Sequence, residues 1–288
     1  MTNTTDWTGR IGDVWAAEWR RTDRSFGGLA PFLDAAILAA ATTSRPRTVV
    51  DVGCGAGATS LATARAVPDA QVVGIDLSAT LIATAERRAL DQAQANARFV
   101  RDDVVRAATR HAPVDLYVSR HGVMFFADPV AAFTELGGAA RPGAMLVFSC
   151  FAERAANCWA IETIAAVGGN ADTPSREMPG PFAFADPAHV GAILARSGWQ
   201  AEPPARIEFA YRAGEGPDAV ADALDYFRRI GPAASAIRDA APEERERHIA
   251  RLTMVCERHV DGDTVEFPAA AWIWTARKSA NQTTGEPA

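Results

Sequence analysis

Residues 51–57 combine a carboxylate with three alternate glycines, a set that could hold a nucleoside. They read Asp-Val-Gly-Cys-Gly-Ala-Gly and follow the valines at positions 49 and 50. Glycine adopts positive φ without steric cost and has no side chain to keep a ligand away from the peptide. A helix that starts at Ala58 would direct its free N–H groups at the same place. This spacing predicts a turn that binds a nucleoside close to the backbone.

A second carboxylate lies where a ribose would be bound. Residues 70–76 are mostly apolar, predict a second strand and end in Asp76. An acid about 20 residues beyond a glycine turn binds ribose hydroxyls in dinucleotide-binding folds. A charge-assisted hydrogen bond of this kind stabilises the complex by about 1.5–3 kcal/mol. A helix N-cap is the alternative role for Asp76, although Ser78 is better placed for capping.

The order of the remaining motifs distinguishes between possible ligands. Gly53, Gly55 and Ala58 alone also satisfy the looser G-x-G-x-x-A pattern of nicotinamide-dependent enzymes. The chain, however, resembles the class I S-adenosylmethionine-dependent methyltransferases at five motifs in sequence: the acidic glycine turn, a second and a third strand each followed by an acid, a fourth strand, and an Arg-Pro-Gly turn before a fifth strand. These motifs lie at residues 51–57, 74–78, 99–104, 114–119 and 141–143.

Within that family the chain is similar to small-molecule methyltransferases of types 11 and 25, and residues 119–128 resemble the quinone and menaquinone methyltransferases. The resemblance implies S-adenosylmethionine as cofactor and S-adenosylhomocysteine as product. Asp51 would accept a hydrogen bond from the donor's ammonium group, and Asp76 would bind its ribose. Asp103 would accept the adenine amino group, with Asp102 as the alternative. The residues expected at the cofactor are Asp51, Gly53, Cys54, Gly55, Asp76, Leu77, Asp102, Asp103, Val104, Ser119, Arg120 and Trp19.

His121 is the candidate catalytic residue. It follows the predicted fourth strand, where related sequences tend to carry an aromatic residue, and its imidazole could take a proton from an attacking hydroxyl or amine. Packing in place of that aromatic residue is the alternative. Trp15 and Trp19 stand one helical turn apart and could cover the donor's sulfonium, since aromatic faces attract cations by about 0.5–2 kcal/mol; core packing is the alternative. An apolar acceptor pocket is expected from Trp159, Met178, Phe182 and Phe184.

These residues together predict a methyltransferase for a small, apolar or aromatic acceptor. Methyl transfer depends on alignment more than on covalent catalysis, so oxygen or nitrogen methylation is favoured and carbon methylation stays open. The alternatives are an NAD(P)-dependent oxidoreductase and a non-catalytic S-adenosylmethionine-binding protein. An oxidoreductase would need a pair such as Tyr-Lys, and the chain has three tyrosines with its lysine at position 278.

Short apolar strands alternating with helices predict the scaffold for these residues. We expect a Rossmann-like α/β fold with helices on both faces of a sheet and added helical caps. The resemblance implies seven mostly parallel strands with the last one antiparallel. Strands are predicted at residues 48–52, 71–76, 97–100, 114–119, 144–150, 205–211 and within 263–276.

The predicted organisation has one main domain. Residues 1–45 form an N-terminal helical cover, with helices at 12–23 and 29–41. Residues 46–278 form the methyltransferase domain, with cap insertions at about 151–185 and 213–262. The tail, residues 279–288, is polar and predicted to be disordered.

Composition narrows the classes of partner. A net charge of −6, from 29 basic and 35 acidic residues, gives no electrostatic footprint for nucleic acid. No apolar run reaches the roughly 18 residues that span a bilayer, and the first residues lack a secretion signal, so a cytoplasmic protein is expected. The four cysteines and five histidines show no metal-ligand spacing. The expected partner is a small-molecule substrate, with a homodimer left open.

Overall fold

The computed structural model describes residues 7–169 and 178–279. In this part of the chain a single mixed sheet contains nine strands in the order β3-β2-β1-β4-β5-β9-β6, and β7 and β8 also pair with β9. The strands are β1 (Thr48–Val52), β2 (Gln71–Asp76), β3 (Ala97–Arg101), β4 (Val114–Arg120), β5 (Ala140–Phe151), β6 (Trp199–Ala201), β7 (Ala205–Glu215), β8 (Val260–Asp261) and β9 (Thr264–Lys278).

The Rossmann-like α/β class is confirmed, whereas the expected count of seven strands is wrong. Strands β1 to β5 pair in parallel and β9 runs antiparallel to β5, as the family resemblance implies. The two additional strands, β6 and β8, have three and two residues. Strands this short carry no alternating apolar pattern, and only their hydrogen bonds to β9 define them. Strand β5 starts at Ala140 rather than at the predicted residue 144, because Ala140 pairs with Val114 of β4.

Helices surround the sheet. They are α1 (Arg10–Ala17), α2 (Trp19–Ser25), α3 (Ala30–Ser44), α4 (Ala58–Ala66), α5 (Ala79–Asp91), α6 (Val104–Ala107), α7 (Pro129–Ala139), α8 (Cys158–Ala166), α9 (Pro187–Arg196), α10 (Ala219–Phe227), α11 (Ala233–Asp239) and α12 (Pro242–Arg258). Every residue of β4 from Val114 to Ser119 is buried, so both faces of the sheet centre are covered.

Helix starts follow local side-chain chemistry. Ser78 accepts a hydrogen bond from Leu81 N and caps α5, which is the role that the sequence favours for this serine. Asp186 caps α9 by accepting a hydrogen bond from Ala188 N, and Pro187 occupies the first helical position. The predicted helix over residues 12–23 is wrong as a single unit, because the chain breaks at Glu18 into α1 and α2.

Strand order brings the candidate site together. Strands β1 and β4 are neighbours at the point where the order along the sheet reverses. In open parallel sheets, ligands bind at the carboxyl ends of the strands at such a point. The glycine turn after β1 and the segment after β4 therefore meet at one edge of the sheet.

Within the described ranges, no single helix is long and apolar enough to cross a membrane. The bent pair α2 and α3, with an angle of 82° at the break, meets the length and composition criteria when the two helices are taken together.

Candidate functional site

The three glycines of the turn serve different purposes. Gly53, Gly55 and Gly57 have φ values of 65°, 53° and 82°, all in the region that favours glycine. A Cβ on Gly57 would lie 2.9 Å from Ala85 Cβ and from ring carbons of Phe99. A Cβ on Gly55 would meet nothing within 4 Å. Gly57 therefore permits close packing of the turn on α5 and β3, and Gly55 borders open space.

Asp51 is a fully buried carboxylate with one free oxygen. Its Oδ2 accepts a hydrogen bond from Ser60 Oγ at 2.5 Å, and Oδ1 has no partner among the described residues. Burial raises the pKa of Asp51 to about 6, while the Ser60 hydroxyl and the charge of Arg120 act in the opposite direction. A buried acceptor without a donor is costly, so this oxygen suits a ligand that brings an N–H group.

Asp76 lies beside the open side of the turn. Its two oxygens accept hydrogen bonds from the backbone N–H groups of Gly55 and Ser78, each at 2.9 Å. Burial raises the pKa of this carboxyl, against the effect of those backbone donors. Each carboxylate oxygen can still accept a second hydrogen bond. The neighbouring Leu77 is half-buried, and Cys54 is buried with its N–H donating to Ile75 O at 3.1 Å.

The two adjacent acids after β3 have different surroundings. Asp103 caps α6 by accepting from Val105 N at 2.9 Å. Asp102 forms ion pairs with Arg106 and Arg110, and its N–H donates to Asp76 O at 3.0 Å. That backbone contact places this segment, including the buried Val104 that begins α6, next to the end of β2.

Ser119 connects the end of β4 to the end of β1. Its buried hydroxyl donates to Val52 O at 2.7 Å and accepts from Gly122 N at 3.2 Å. The chain approaches so closely here that a Cβ on Gly122 would lie 2.5 Å from Val52 O. The side chain of Ser119 therefore fixes the two strand ends relative to each other.

His121 is buried at the end of β4 with a left-handed φ of 60°. Its Nδ1 lies 2.9 Å from Ser149 Oγ, and its Nε2 finds no hydrogen-bonding partner in residues 7–169 and 178–279. Burial, with help from the charge of Arg120, lowers the pKa of His121 to about 3. The imidazole is therefore neutral at ordinary pH and presents one unpaired nitrogen.

His121 belongs to an aromatic cluster. Its ring centroid lies 4.7 Å from that of Phe26 and 4.3 Å from that of Phe151. Trp159 stacks on Tyr211 at 4.8 Å, and its buried Nε1 has no partner in the described part of the chain. The aromatic cluster comprises Phe26, His121, Phe151, Trp159, Phe182 and Tyr211.

Two of the four residues expected around an acceptor, Trp159 and Phe182, belong to this cluster. Phe184, expected beside them, lies in the core against Phe133 and Phe148 instead. Met178 is half-buried.

Trp19 and Arg120 are linked to the glycine turn indirectly, through Arg88 and Asp23. The Arg88 and Arg20 guanidinium carbons lie 3.9 Å and 4.5 Å from the Trp19 ring centroid. Arg88 also donates to Ala56 O at 2.6 Å, inside the glycine turn. Both Arg88 and Arg120 form ion pairs with Asp23 of α2. The N-terminal cover is thereby joined to the turn and to β4.

Sequence reasoning missed several of these residues. Ser149 could have been found, because it lies near the carboxyl end of β5, where parallel strands present ligand contacts. Asp23, Arg88 and Phe26 had no local signal, since each acts through residues far away in the sequence.

Known proteins resemble this chain in sequence and in fold. Residues 49–143 match the sequence model of a family described as "Methyltransferase domain". The trans-aconitate 2-methyltransferase of Azoarcus sp. (strain BH72) is 33% identical over 140 residues, which cover 47% of this chain and 46% of that protein. The chain spans about half the length of the curated relatives it matches.

Two solved structures share the fold over most of the chain. The cyclase SpnF is 16% identical with a TM-score of 0.56, covering 97% of this chain and 98% of that one. The YcgJ protein of Bacillus subtilis is 15% identical with a TM-score of 0.52, covering 86% of this chain and 98% of that one. At these identities the likeness demonstrates a common fold.

Proposed function

Because this chain belongs to the class I S-adenosylmethionine-dependent methyltransferases, we propose that it transfers a methyl group from S-adenosylmethionine to a small apolar or aromatic acceptor. The observation that carries the proposal is the buried, unpartnered Oδ1 of Asp51 behind a glycine turn with open space at Gly55. The relative named trans-aconitate 2-methyltransferase and another named malonyl-acyl-carrier-protein O-methyltransferase support the reaction class.

The residues at the turn fit the parts of this donor. The free oxygen of Asp51 suits the ammonium group of the amino acid end, since a charge-assisted hydrogen bond would satisfy both groups. Asp76 adjoins the open side of Gly55 through its bond to that residue's N–H, a position that fits the ribose hydroxyls. Asp103 and the N–H of Val104 are the proposed contacts of the adenine ring.

S-Adenosylmethionine would supply an activated methyl group on a sulfonium, so the protein's task is alignment. The segment from Ser119 to His121 leads from the turn to the aromatic cluster. Flat rings packed in a buried cluster suit an uncharged aromatic or otherwise apolar acceptor. The unpaired Nε1 of Trp159 would then give that acceptor a polar contact.

His121 is the proposed contact of the reacting hydroxyl or amine. When Nδ1 carries the ring proton and donates it to Ser149 Oγ, the lone pair on Nε2 is free. An imidazole with a pKa near 3 is a weak base, but an oxygen that has just received a methyl group is a much stronger acid than imidazolium. Nε2 can therefore orient the hydroxyl and receive its proton as the new bond forms.

The proposed donor site is tested by calorimetry with S-adenosylmethionine, S-adenosylhomocysteine and NADH. We expect Asp76→Ala to weaken binding of the first two at least about tenfold, because two backbone donors and a ribose lose their acceptor. Asp128→Ala is the matched control, since Asp128 caps α7 through Ala131 N and lies outside the turn. Binding of NADH alone would contradict the proposal and favour the oxidoreductase alternative.

Methyl transfer is tested with labelled S-adenosylmethionine and a panel of phenols, aromatic amines and carboxylic acids. Label in an organic product together with S-adenosylhomocysteine is the expected result. The fold likeness to SpnF, a protein named as a cyclase, makes this direct assay necessary. Donor binding without transfer to any member of a broad panel would favour the non-catalytic alternative.

A further inference from the structure

Helix α2 inserts a carboxylate between two arginines at the glycine turn. Asp23 Oδ2 lies 2.7 Å from Arg88 Nη2, and Asp23 Oδ1 lies 2.7 Å from Arg120 Nη2. The side chains of Arg88, Asp23 and Arg120 are 11%, 23% and 17% exposed. At this degree of burial, charges are screened by solvent much less than surface charges are.

Both arginines act on the place where the donor is proposed to bind. Arg88 donates to Ala56 O inside the turn at 2.6 Å. The charge of Arg120 opposes the burial that raises the pKa of Asp51 and adds to the burial that lowers the pKa of His121, so its field reaches the donor side and the acceptor side of the site. Without a counterion, these two positive charges would repel a ligand that is itself a cation.

The proposed donor and its product differ in charge at one atom. S-Adenosylmethionine carries a sulfonium cation, whereas the sulfur of S-adenosylhomocysteine is uncharged. A neighbouring carboxylate therefore changes their relative affinity, while shape and the other contacts are almost the same for both.

We propose that Asp23 is a specificity-determining residue that favours the cationic methyl donor over its neutral product by neutralising Arg88 and Arg120 beside the turn. This inference rests on the proposed function, because it requires the turn to bind both molecules. Asp23 acts through the two arginines and through the local potential, so it is a positioning residue in this reaction.

The chain offers a matched control on the other side of α2. Asp222 of α10 also lies between two arginines, 2.7 Å from Arg21 Nε and 2.6 Å from Arg24 Nη1. Its side chain is 21% exposed, close to the value for Asp23. Asp222 contacts the cover and the N–H of Glu215, whereas Asp23 contacts Arg88 of α5, which donates to the turn, and Arg120 of β4.

The experiment compares the dissociation constants of S-adenosylmethionine and S-adenosylhomocysteine in the wild type, Asp23→Asn and Asp222→Asn. Calorimetry supplies the constants, and circular dichroism verifies the fold. In Asp23→Asn we expect the affinity for S-adenosylmethionine to fall at least about threefold more than that for S-adenosylhomocysteine. In Asp222→Asn the ratio of the two affinities should stay at the wild-type value.

A charge-balance variant keeps the test decisive if Asp23→Asn fails to fold. Arg88→Gln removes a positive charge and should shift the ratio toward S-adenosylmethionine. In Asp23→Asn/Arg88→Gln the ratio should return toward the wild-type value. No such rescue is expected if Asp23 only holds α2 in place through its ion pairs.

The possible failures are distinguishable. If the wild type binds neither molecule, the proposed function and this inference both fall. If the wild type binds both, but Asp23→Asn lowers the two affinities equally or Asp222→Asn shifts the ratio as much, the inference alone is overturned. If Arg88→Gln is the only variant that folds and its ratio of the two affinities equals the wild-type ratio, the inference alone is likewise overturned.

Discussion

The proposed donor half and the proposed acceptor half of the candidate site, called below the donor half and the acceptor half, are built in different ways. The donor half comprises residues 51–57, 76–78 and 102–104, where backbone N–H groups and short polar side chains meet at neighbouring strand ends. The acceptor half is the aromatic cluster, whose rings come from the N-terminal cover, the residue after β4, β5, α8, β7 and residue 182. A site built on local backbone leaves a motif in the sequence, whereas a site built from distant side chains does not.

The family match follows the same division. It covers residues 49–143, which contain the whole donor half. Of the aromatic cluster it contains only His121, because Phe26 precedes the match and the other four rings follow it. The family match therefore covers the same half of the site that the sequence motifs predict.

Each half contains a buried titratable group. Asp51 is the last residue but one of β1 and His121 follows β4, and burial shifts their pKa values in opposite directions, to about 6 and about 3. Both shifts favour the uncharged form, because a buried charge loses its hydration. The donor half thus has an unpaired oxygen on Asp51 that can accept a hydrogen bond, and the acceptor half has a neutral imidazole on His121.

The strongest test of the donor half places the same methyl group on two glycines of the turn. Gly57→Ala should lower the free energy of unfolding by about 3 kcal/mol, because the Cβ would combine a positive φ with an overlap of Ala85 and Phe99. Gly55→Ala should cost only about 1 kcal/mol from its φ but weaken binding of S-adenosylmethionine at least about tenfold. Denaturant titration and calorimetry measure the two effects. The opposite assignment would contradict the division of roles within the turn.

Replacing His121 tests whether the two halves act independently. His121→Phe should reduce the rate of methyl transfer about a hundredfold and leave the affinity for S-adenosylmethionine within about twofold of the wild type. Single-turnover kinetics on any acceptor found in the panel gives the rate, and calorimetry gives the affinity. Ser149→Ala, which removes the partner of Nδ1, should produce a smaller loss of the same kind. Unchanged turnover in His121→Phe would assign the ring to packing.

The smallest expected effect is on the pH dependence of stability. The folded-state pKa of Asp51 is raised from 3.8 to about 6, so its contribution to stability is lost as pH rises through that window. The folded-state pKa of His121 is lowered from 6.5 to about 3, so its contribution is lost as pH falls through that window.

The two slopes oppose each other between about pH 4 and pH 6. Relative to the wild type, His121→Phe should therefore lose about 1 kcal/mol of unfolding free energy per pH unit as pH rises through this range. Asp51→Asn should gain a similar amount over the same range. Denaturant titrations at several pH values measure both trends. Parallel curves of unfolding free energy against pH for the wild type and the two variants would contradict the opposite pKa shifts of Asp51 and His121.

Much of the scaffold could be predicted from the sequence. Strands β1 and β2 and the Ser78 N-cap of α5 follow from apolar runs and capping residues that operate within a few residues. The break at Glu18 and the short strands β6 and β8 could not be predicted. They depend on contacts with distant partners: Arg229 with Glu18, and β9 with both strands.

The sequence by itself determined the donor half, because a positive φ, an open backbone and a strand-end carboxylate each restrict the residue type at a fixed local position. Only the tertiary structure decided the rest. It brought Asp23 to Arg120 across 97 positions, Tyr211 to Trp159 and Ser149 to His121. Such contacts leave no motif in the sequence around each residue, because packing and ion pairing depend on how the helices and strands assemble around the sheet.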